Sequence, residues 1–215
     1  MIQAKSLLKF TGIKHFFLSS EESVSEEFDE VINSAFISEQ VHGSRIQKTD
    51  SRTFYKDCDG LLCENKSTLL LKTADCLPVF FYSADKKTVA AVHAGWRGLS
   101  KGIMTETIEI FRQMGIEAAS LITVIGPHIG LCCYQVSADL IIKFGIIISE
   151  TDFFRKKGSD YYLDLSAIAR YQLQIAGVKA ANIEDTQVCT CHNLEYASYR
   201  RTHSRDRNIS LISLL

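Results

Sequence analysis

The sequence lacks several features, and each absence narrows the class of protein. Its 215 residues contain no run of about 18 apolar residues, so we expect no membrane partner and no membrane-spanning segment. The formal net charge is −1, which argues against a nucleic-acid binder that works through bulk charge. Lysines interrupt residues 1–20 and no small-residue cleavage site follows, so we predict no signal peptide.

Proline is scarce and cysteine is present in an odd number. The two prolines, Pro78 and Pro127, both lie beside motif residues, in the stretches TADCLPV and IGPHIG. The seven cysteines occur in a chain without a recognisable export signal. We therefore interpret them as reduced thiols or metal ligands and not as a disulfide framework.

The distribution of apolar residues predicts an α+β fold in a single domain. Hydrophobic residues make up 46% of the chain, as in ordinary globular proteins. Strands and helices mix without strict alternation, which predicts a mixed β-sheet with flanking helices. Residues 19–31, acidic and serine-rich, form either a mobile loop or the start of a surface helix. The predicted strands cover residues 69–73, 78–83, 88–93, 121–126 and 183–188, and the predicted helices cover residues 99–114, 137–148 and 164–178.

Three residues beside predicted strand ends have the chemistry of metal ligands. They are His42 in EQVHG, Cys76 in TADC and His93 in AVHAG. Two imidazoles and one thiolate form a zinc-binding set, and three protein ligands leave the open fourth position of a catalytic site. The alternative is a buried thiol with two hydrogen-bonded histidines, and composition alone favours that alternative.

Two neighbouring residues add catalytic candidates. Asp75 precedes Cys76 at a strand end, where its carboxylate acts as an acid or base or supports a ligand; a turn or N-cap aspartate is equally compatible with the local sequence. Arg97 opens the predicted 99–114 helix, whose free N–H groups attract an anion, and the guanidinium strengthens a phosphate site. The alternative is a surface arginine beside Trp96 as an apolar anchor.

A second set of cysteines and basic residues lies in the C-terminal half. Cys132 and Cys133 are neighbours, and VCTCHN adds Cys189, Cys191 and His192. They could form a structural zinc site, but CC and CxC are not the usual CxxC spacing, so ordinary buried thiols are the favoured interpretation. The residues 200–207 hold four arginines and a histidine, which either clamp an anion or form a solvated turn.

These motifs together resemble the YfiH/DUF152 family over residues 38–215. That family is labelled purine nucleoside phosphorylase, polyphenol oxidase (laccase domain) and peptidoglycan editing factor. The joint pattern is highly specific, although each piece alone is weak. The matching stretches are EQVHG, TADCLPV, AVHAGWRGL, IGPHIGLCCYQV, CT and SYRR, in that order.

The resemblance implies a function and a ligand set. The ligands would be His42, Cys76 and His93, holding zinc, with copper as the second choice. The implied fold is one α+β domain over residues 1–215, and the implied protein is a cytoplasmic enzyme. Its substrates would be a purine nucleoside and phosphate, with phosphorolysis of adenosine, inosine and methylthioadenosine and with adenosine deamination. Family members tend to self-associate, so the resemblance is also compatible with a homodimer.

The assignment of phosphate-binding residues is a hypothesis that rests on the chemistry of the arginines and not on the resemblance. Either Arg97 with its helix terminus, or Arg45 with Arg200, would hold phosphate beside the ribose. The sequence also departs from the family: residues 1–37 are divergent, Gln135 replaces the usual glutamate, and Thr202 replaces an acid.

Other readings stay open. In a cysteine hydrolase or amidase acting on a peptidoglycan precursor, Cys76 would be the nucleophile, His93 its base, and Asp75 or Asn193 the group that orients the base. A degenerate, non-catalytic metal-binding member is a further alternative. A laccase fits worst, because six histidines are few for its histidine-rich copper cluster.

Overall fold

The computed structural model describes residues 1–147 and 152–215 and confirms the α+β prediction. The described residues form three sheets, with five, three and six strands, where the sequence predicted a single mixed sheet. The helices are α1 (Lys5–Leu8), α2 (Glu26–Ser34), α3 (Trp96–Ser100), α4 (Ile103–Gln113), α5 (Ala138–Gly145), α6 (Leu165–Ile175) and α7 (Tyr199–Thr202). The strands are β1 (Ile13–Leu18), β2 (Phe36–Ser38), β3 (Ile46–Lys48), β4 (Phe54–Tyr55), β5 (Gly60–Cys63), β6 (Ser67–Thr73), β7 (Leu77–Ser83), β8 (Thr88–Ala94), β9 (Ile122–Ile125), β10 (Gln135–Val136), β11 (Phe154–Lys157), β12 (Asp160–Leu163), β13 (Ile183–Asp185) and β14 (Asn208–Leu214).

The six-stranded sheet forms the centre of the fold, in the order β13-β9-β7-β8-β5-β3. Its inner strands are antiparallel, and each edge strand pairs in parallel with its neighbour. Every residue of β7 and β8 is buried, because both faces of this sheet are covered. Continuous apolar runs such as VFFY suit a strand that is buried on both faces.

The two faces of β7 pack against different layers. Phe80 points toward the five-stranded sheet (order β1-β14-β6-β2-β4) and stacks on Phe17, with ring centroids 4.8 Å apart. Phe81, the next residue, points to the opposite face and packs against Phe111 of α4. Helix α2 covers the outer face of the five-stranded sheet through Phe28. The result is a layered core that holds the ends of β7 and β8 rigidly in place.

The predicted 99–114 helix is two helices. Helix α3 ends at Ser100, and α4 starts at Ile103 after Gly102. Gly102 has φ +77°, a left-handed conformation that glycine adopts without strain and that breaks a helix. The apolar periodicity runs through this break because both helices pack on the same sheet.

The remaining predicted elements differ mainly at their ends. The segment 19–31 leads into the surface helix α2, and the predicted strand 183–188 is only Ile183–Asp185. Helix α5 spans Ala138–Gly145, and residue 148 of that prediction lies outside the described residues. Helix α6 is capped by Asp164, whose carboxylate accepts a hydrogen bond from the backbone N–H of Ala167. None of the helices described is both long and apolar enough to cross a bilayer.

Candidate active site

The fold brings His42, Cys76 and His93 together from three separate segments. Their candidate ligand atoms all lie within 4.8 Å of one another. Cys76 immediately precedes β7, and His93 is paired with Pro78 near the end of β8, so two adjacent strands hold these two side chains side by side. The loop between β2 and β3 supplies His42, whose Nε2 lies 4.0 Å from Cys76 Sγ. The two imidazole rings are nearly perpendicular, with centroids 4.8 Å apart.

The backbone around this trio is shaped for close approach. His42 has φ +61°, in the left-handed region that non-glycine residues rarely adopt. A Cβ on Gly95 would lie 2.9 Å from Cys76 Sγ and 3.2 Å from His42 Cδ2. Only glycine therefore leaves room for the thiol and the imidazole, which explains one glycine of the HAGWRG stretch.

Asp59 organises the trio from beneath, and sequence analysis missed it. Its Oδ1 lies 2.9 Å from His93 Nδ1 and accepts from the backbone N–H of His42 at 2.7 Å, while Oδ2 accepts from Gly43 at 2.6 Å. Asp59 is fully buried and immediately precedes β5. With the proton on His93 Nδ1, Asp59 leaves Nε2 free to act as a ligand. The available sequence signal was a carboxylate placed directly before the apolar stretch GLLC.

The electrostatics of the trio favour a thiolate. Burial raises the pKa of the Cys76 thiol, but hydrogen bonds from His42 and His93 and the charges of both imidazoles lower this pKa to about 6. Burial lowers the pKa of His93, but Asp59 and Cys76 raise it to about 9. Burial likewise raises the pKa of Asp59, and the bonds to His93, Gly43 and His42 bring that pKa below its ordinary value. A thiolate is the form in which cysteine attacks carbon or binds metal.

Asp75 adjoins the trio, but both of its carboxylate oxygens are bound by residues outside the trio. Oδ1 accepts from the Thr190 hydroxyl at 2.8 Å, and Oδ2 accepts from the backbone N–H of Arg200 at 2.6 Å. The residue has φ +85°, and its backbone carbonyl accepts from Ile129. In these contacts Asp75 fixes the start of α7 beside Cys76. His93 is oriented by Asp59, in the position that the sequence reading assigned to Asp75 or Asn193.

Two of the three arginines proposed for phosphate lie around Tyr134, a residue that sequence analysis did not single out. The Arg200 guanidinium stacks over the Tyr134 ring at 5.1 Å and donates to the carbonyl of Gln135 at 2.9 Å. Burial and the charge of Cys76 raise the pKa of Tyr134 to about 12, although the charges of Arg200 and Arg97 act in the opposite direction. Tyr134 is thus linked electrostatically to the thiol and to both arginines.

Arg97 and Arg45 are exposed. The Arg97 guanidinium lies over the Trp96 ring, 4.5 Å from its centroid, and Lys143 lies 5.3 Å from the same ring. Arg45 follows His42 in the same loop, and its carbonyl accepts from the backbone N–H of Asp59 at 2.9 Å. The basic side chains thus reach solvent at the rim, whereas Asp59 and His93 are buried beneath.

Other residues of the matching motifs have other tasks. His128, in the IGPHIG stretch, is buried, and its Nδ1 lies 2.8 Å from the carbonyl oxygen of Gly126, so the ring caps this turn. Arg201 donates to the carbonyls of Thr190, Cys191, Asn193 and Tyr196, so it braces a loop.

The residues present fit a soft or borderline metal ion. In the described residues, two groups of at least three candidate ligand side chains lie close together, and only the trio contains histidine. Two imidazoles, one thiolate and a carboxylate that orients an imidazole form the donor set that zinc prefers, and copper also binds such donors. The described residues do not assemble a second, histidine-rich group of the kind a trinuclear copper cluster needs.

The fold and site define a single-domain α+β protein with a two-histidine, one-cysteine centre at the ends of adjacent strands. The family model described as multi-copper polyphenol oxidoreductase laccase matches residues 19–215. With that match and its relatives, the chain belongs to the YfiH family, as its motifs indicated.

Three similar proteins illustrate the relationship. A purine nucleoside phosphorylase of Clostridium acetobutylicum is 36% identical over 167 residues, which is 75% of this chain and 69% of that protein. The Escherichia coli purine nucleoside phosphorylase YfiH is 31% identical over 187 residues, 82% of this chain and 72% of that protein. The crystal structure of the hypothetical protein YfiH of Bacillus licheniformis matches with a TM-score of 0.82 at 30% identity, covering 91% of this chain and 82% of that one.

Proposed function

We propose that the protein is a cytoplasmic, metal-dependent purine nucleoside phosphorylase that acts on adenosine, inosine and methylthioadenosine and also deaminates adenosine. The observation that carries this proposal is the convergence of His42, Cys76 and His93 on one point, with Asp59 holding His93 from below. The names of the relatives support the choice of substrate class.

Zinc is the metal we propose, with copper as the second choice, and His42, Cys76 and His93 would hold it. A bound zinc ion supplies a Lewis acid that polarises a substrate atom or activates water. Asp59 keeps the His93 proton on Nδ1, so that Nε2 presents a lone pair. The hydrogen bonds from Asp59 to the backbone of His42 and Gly43 fix the loop that carries the third ligand.

Phosphorolysis also requires a bound phosphate. A phosphate oxygen attacks C1′ of the ribose, the glycosidic bond to the purine breaks, and the purine leaves with a proton as ribose 1-phosphate forms. Arg97 and Arg200 are the residues we propose to bind this phosphate, with Arg45 at the rim of the loop. Arg97 follows Gly95, which lies against Cys76, and the backbone N–H of Arg200 donates to Asp75, the residue before Cys76. Tyr134 lies under Arg200 and orients its guanidinium. Asp75 holds the first residues of α7, and hence Arg200, beside Cys76.

The proposal is tested by measuring ribose 1-phosphate release from each nucleoside by wild type and by Cys76→Ala. We expect phosphate-dependent release by the wild type and its loss in the variant. Ammonia release from adenosine without phosphate measures the deaminase activity. Equal activity of both proteins would contradict the role of the trio, and the absence of turnover by a metal-loaded wild type would favour a non-catalytic metal-binding protein.

A second function is favoured by one observation, the chain of Cys76, His93 and Asp59. This order of thiol, imidazole and buried carboxylate also suits a cysteine hydrolase or amidase, in which His93 would accept the proton of Cys76 and Asp59 would orient His93. The metal content discriminates between the two functions. Protein purified without added metal that carries zinc, and in which Cys76 resists alkylation until a chelator is added, would favour the phosphorylase. Metal-free protein with rapidly alkylated Cys76 would favour the hydrolase.

A further inference from the structure

Three cysteines outside the active site also converge. The sulfur atoms of Cys132, Cys133 and Cys189 all lie within 4.8 Å of one another, and those of Cys132 and Cys133 are 3.4 Å apart. In a tetrahedral zinc site with Zn–S bonds of about 2.3 Å, neighbouring sulfurs lie about 3.8 Å apart. The spacing of this group, which we call the thiol cluster, is therefore close to that of a metal site, although its CC sequence is not the usual ligand spacing.

The backbone holds the thiol cluster in place. His128 and Cys189 form a parallel bridge between two loops, and the N–H of Gly130 donates to Cys189 Sγ at 3.2 Å. A Cβ on Gly130 would lie 3.3 Å from the Cβ of Cys189 and 3.5 Å from Cys132 Sγ, so a glycine allows this close approach. Arg201 braces the loop that follows Cys189 through the carbonyls of its neighbours. The cluster is thus built before any ligand arrives.

One sulfur of the cluster is already biased toward the thiolate. Burial raises the pKa of the Cys189 thiol, but the bonds from Gly130 and the neighbouring groups bring this pKa below its ordinary value. The pKa values of Cys132 and Cys133 are raised, first by burial. Those two thiols lose their protons to solvent only when a cation replaces them.

A cavity gives the cluster access to solvent. Its volume is about 440 Å³, and Cys132 and Cys189 line it together with Asp164 and Asp185. Cys132 is exposed and the other two cysteines are partly buried, so an ion can enter without opening the core.

We infer that Cys132, Cys133 and Cys189 form a second site, which binds a soft d10 cation such as Zn²⁺ through three thiolates, independently of the His42–Cys76–His93 trio. Thiolates select such cations over hard ones. Each ligand gives up a proton as its bond to the metal forms, and no oxidation is involved. The site joins the turn after β9, which contains Gly130, to the loop after β13, which contains Cys189, so it cross-links these two segments.

The inference is tested on full-length protein stripped with a chelator under reducing conditions and titrated with Zn²⁺ alone against a competing chelator dye. Two equivalents should bind to the wild type, one to the Cys132→Ser/Cys133→Ser/Cys189→Ser variant and one to Cys76→Ala. Cys191→Ser is the matched control, since Cys191 is partly buried in the same loop but outside the thiol cluster. This control should bind two equivalents.

Co²⁺ as a second probe distinguishes the two sites by their thiolate number. The triple variant should lose the charge-transfer absorption from three of the four thiolate ligands, and Cys76→Ala should lose that from one. Equal Zn²⁺ stoichiometry of the wild type and the triple variant would overturn the inference, as would a disulfide within the cluster that persists in the reduced protein. If the triple variant does not fold, Cys132→Ser, at the exposed position, should still weaken the second equivalent.

Discussion

The molecule holds two sulfur-containing clusters, and they differ in what surrounds them. The active-site trio has one thiol between two imidazoles, and the buried carboxylate of Asp59 lies beneath them. The thiol cluster has three thiols, and backbone groups hold it in place, chiefly the Gly130 N–H, which donates to Cys189 Sγ. The pKa of the Cys76 thiol is lowered to about 6, whereas that of the Cys132 thiol is raised.

This difference suits the trio to chemical reactivity and the thiol cluster to structural cross-linking. A thiolate made by neighbouring imidazoles exists before a metal or substrate arrives, and a site with a mixed donor set leaves a position open for chemistry. The Cys132 and Cys133 thiols, whose pKa values are raised, need the cation to deprotonate them, and three thiolates suit a structural role. Cys76→Ala and Gly95→Ala change the trio, and Cys133→Ala and Gly130→Ala are the matched changes in the thiol cluster.

The largest effect is expected for Cys76→Ala compared with Cys133→Ala. Loss of a residue that supports a metal ligand lowers activity by up to roughly 100-fold. Cys76→Ala removes a ligand itself, so it should lower the rate of phosphorolysis by more than that. Cys133→Ala should leave kcat/KM within about twofold, because Cys133 lies in the other cluster. Release of ribose 1-phosphate at saturating zinc measures both. Similar losses in the two variants would erase the distinction between the clusters.

Asp59→Asn should come next. Loss of a residue that supports a metal ligand lowers metal affinity or activity by about 10–100-fold, because His93 is no longer held with its proton on Nδ1. The measurement is zinc affinity by chelator competition, together with kcat/KM. Asp164→Asn is the control for zinc affinity at the trio, since that carboxylate caps α6 and lines the cavity of the thiol cluster. A thermal melt separates lost affinity from lost stability, and an unchanged zinc affinity in a folded variant would contradict the role of Asp59.

Sequence reasoning placed the trio at strand ends but did not find its support. The apolar runs of β7 and β8 are local patterns, so the strands could be recognised from the sequence. Cys76 and His93 could then be placed at the ends of these strands. Asp59 is visible in the sequence as a carboxylate before GLLC, but its contact with His93 depends on the pairing of β5 with β8, which this single stretch does not reveal. The division of the strands into three sheets escaped prediction for the same reason.

Gly102 marks the break between α3 and α4 in the sequence. The apolar residues continue at helical spacing on both sides of it, so this pattern predicts a single helix. The periodicity continues through Gly102 because both helices cover the same face of the six-stranded sheet. For the thiol cluster, the local sequence pattern argued against a site that the fold does assemble. Its CC spacing argued against a site, and only the loop bridge between His128 and Cys189 brings the third sulfur close.

A smaller effect is expected for two matched glycine substitutions. In Gly95→Ala the new Cβ would lie 2.9 Å from Cys76 Sγ, so the thiol or the loop of His42 must shift and zinc affinity at the trio should fall by about 10-fold. In Gly130→Ala the nearest atom would be 3.3 Å away, so the second equivalent of zinc should weaken by only a few-fold. Both glycines lie outside the left-handed region, so alanine adds no backbone strain. Chelator competition measures both equivalents in each variant, and crossed effects would show that the clusters are coupled.

The smallest effect compares two buried histidines, His15 and His93, whose pKa values shift in opposite directions. Burial lowers the pKa of His15 below its ordinary 6.5, and its Nε2 accepts the backbone N–H of Ala4 at 2.7 Å. The unfolded chain therefore binds more protons than the fold below this value, so the stability that His15 contributes is full above pH 6.5 and is lost as the pH falls through the lower folded pKa.

His15→Gln keeps an acceptor for Ala4 but does not titrate. Melting temperatures of wild type and variant should therefore run parallel above about pH 7 and converge or cross toward about pH 5, where only the wild type loses stability through this group. His93, whose pKa Asp59 raises, gives the opposite slope in metal-free protein: its contribution is present below pH 6.5 and is lost as the pH rises through about 9. A His15→Gln variant with the acid sensitivity of the wild type would show that the pKa of this ring, which burial lowers against the opposing charge of Glu184, does not govern acid stability.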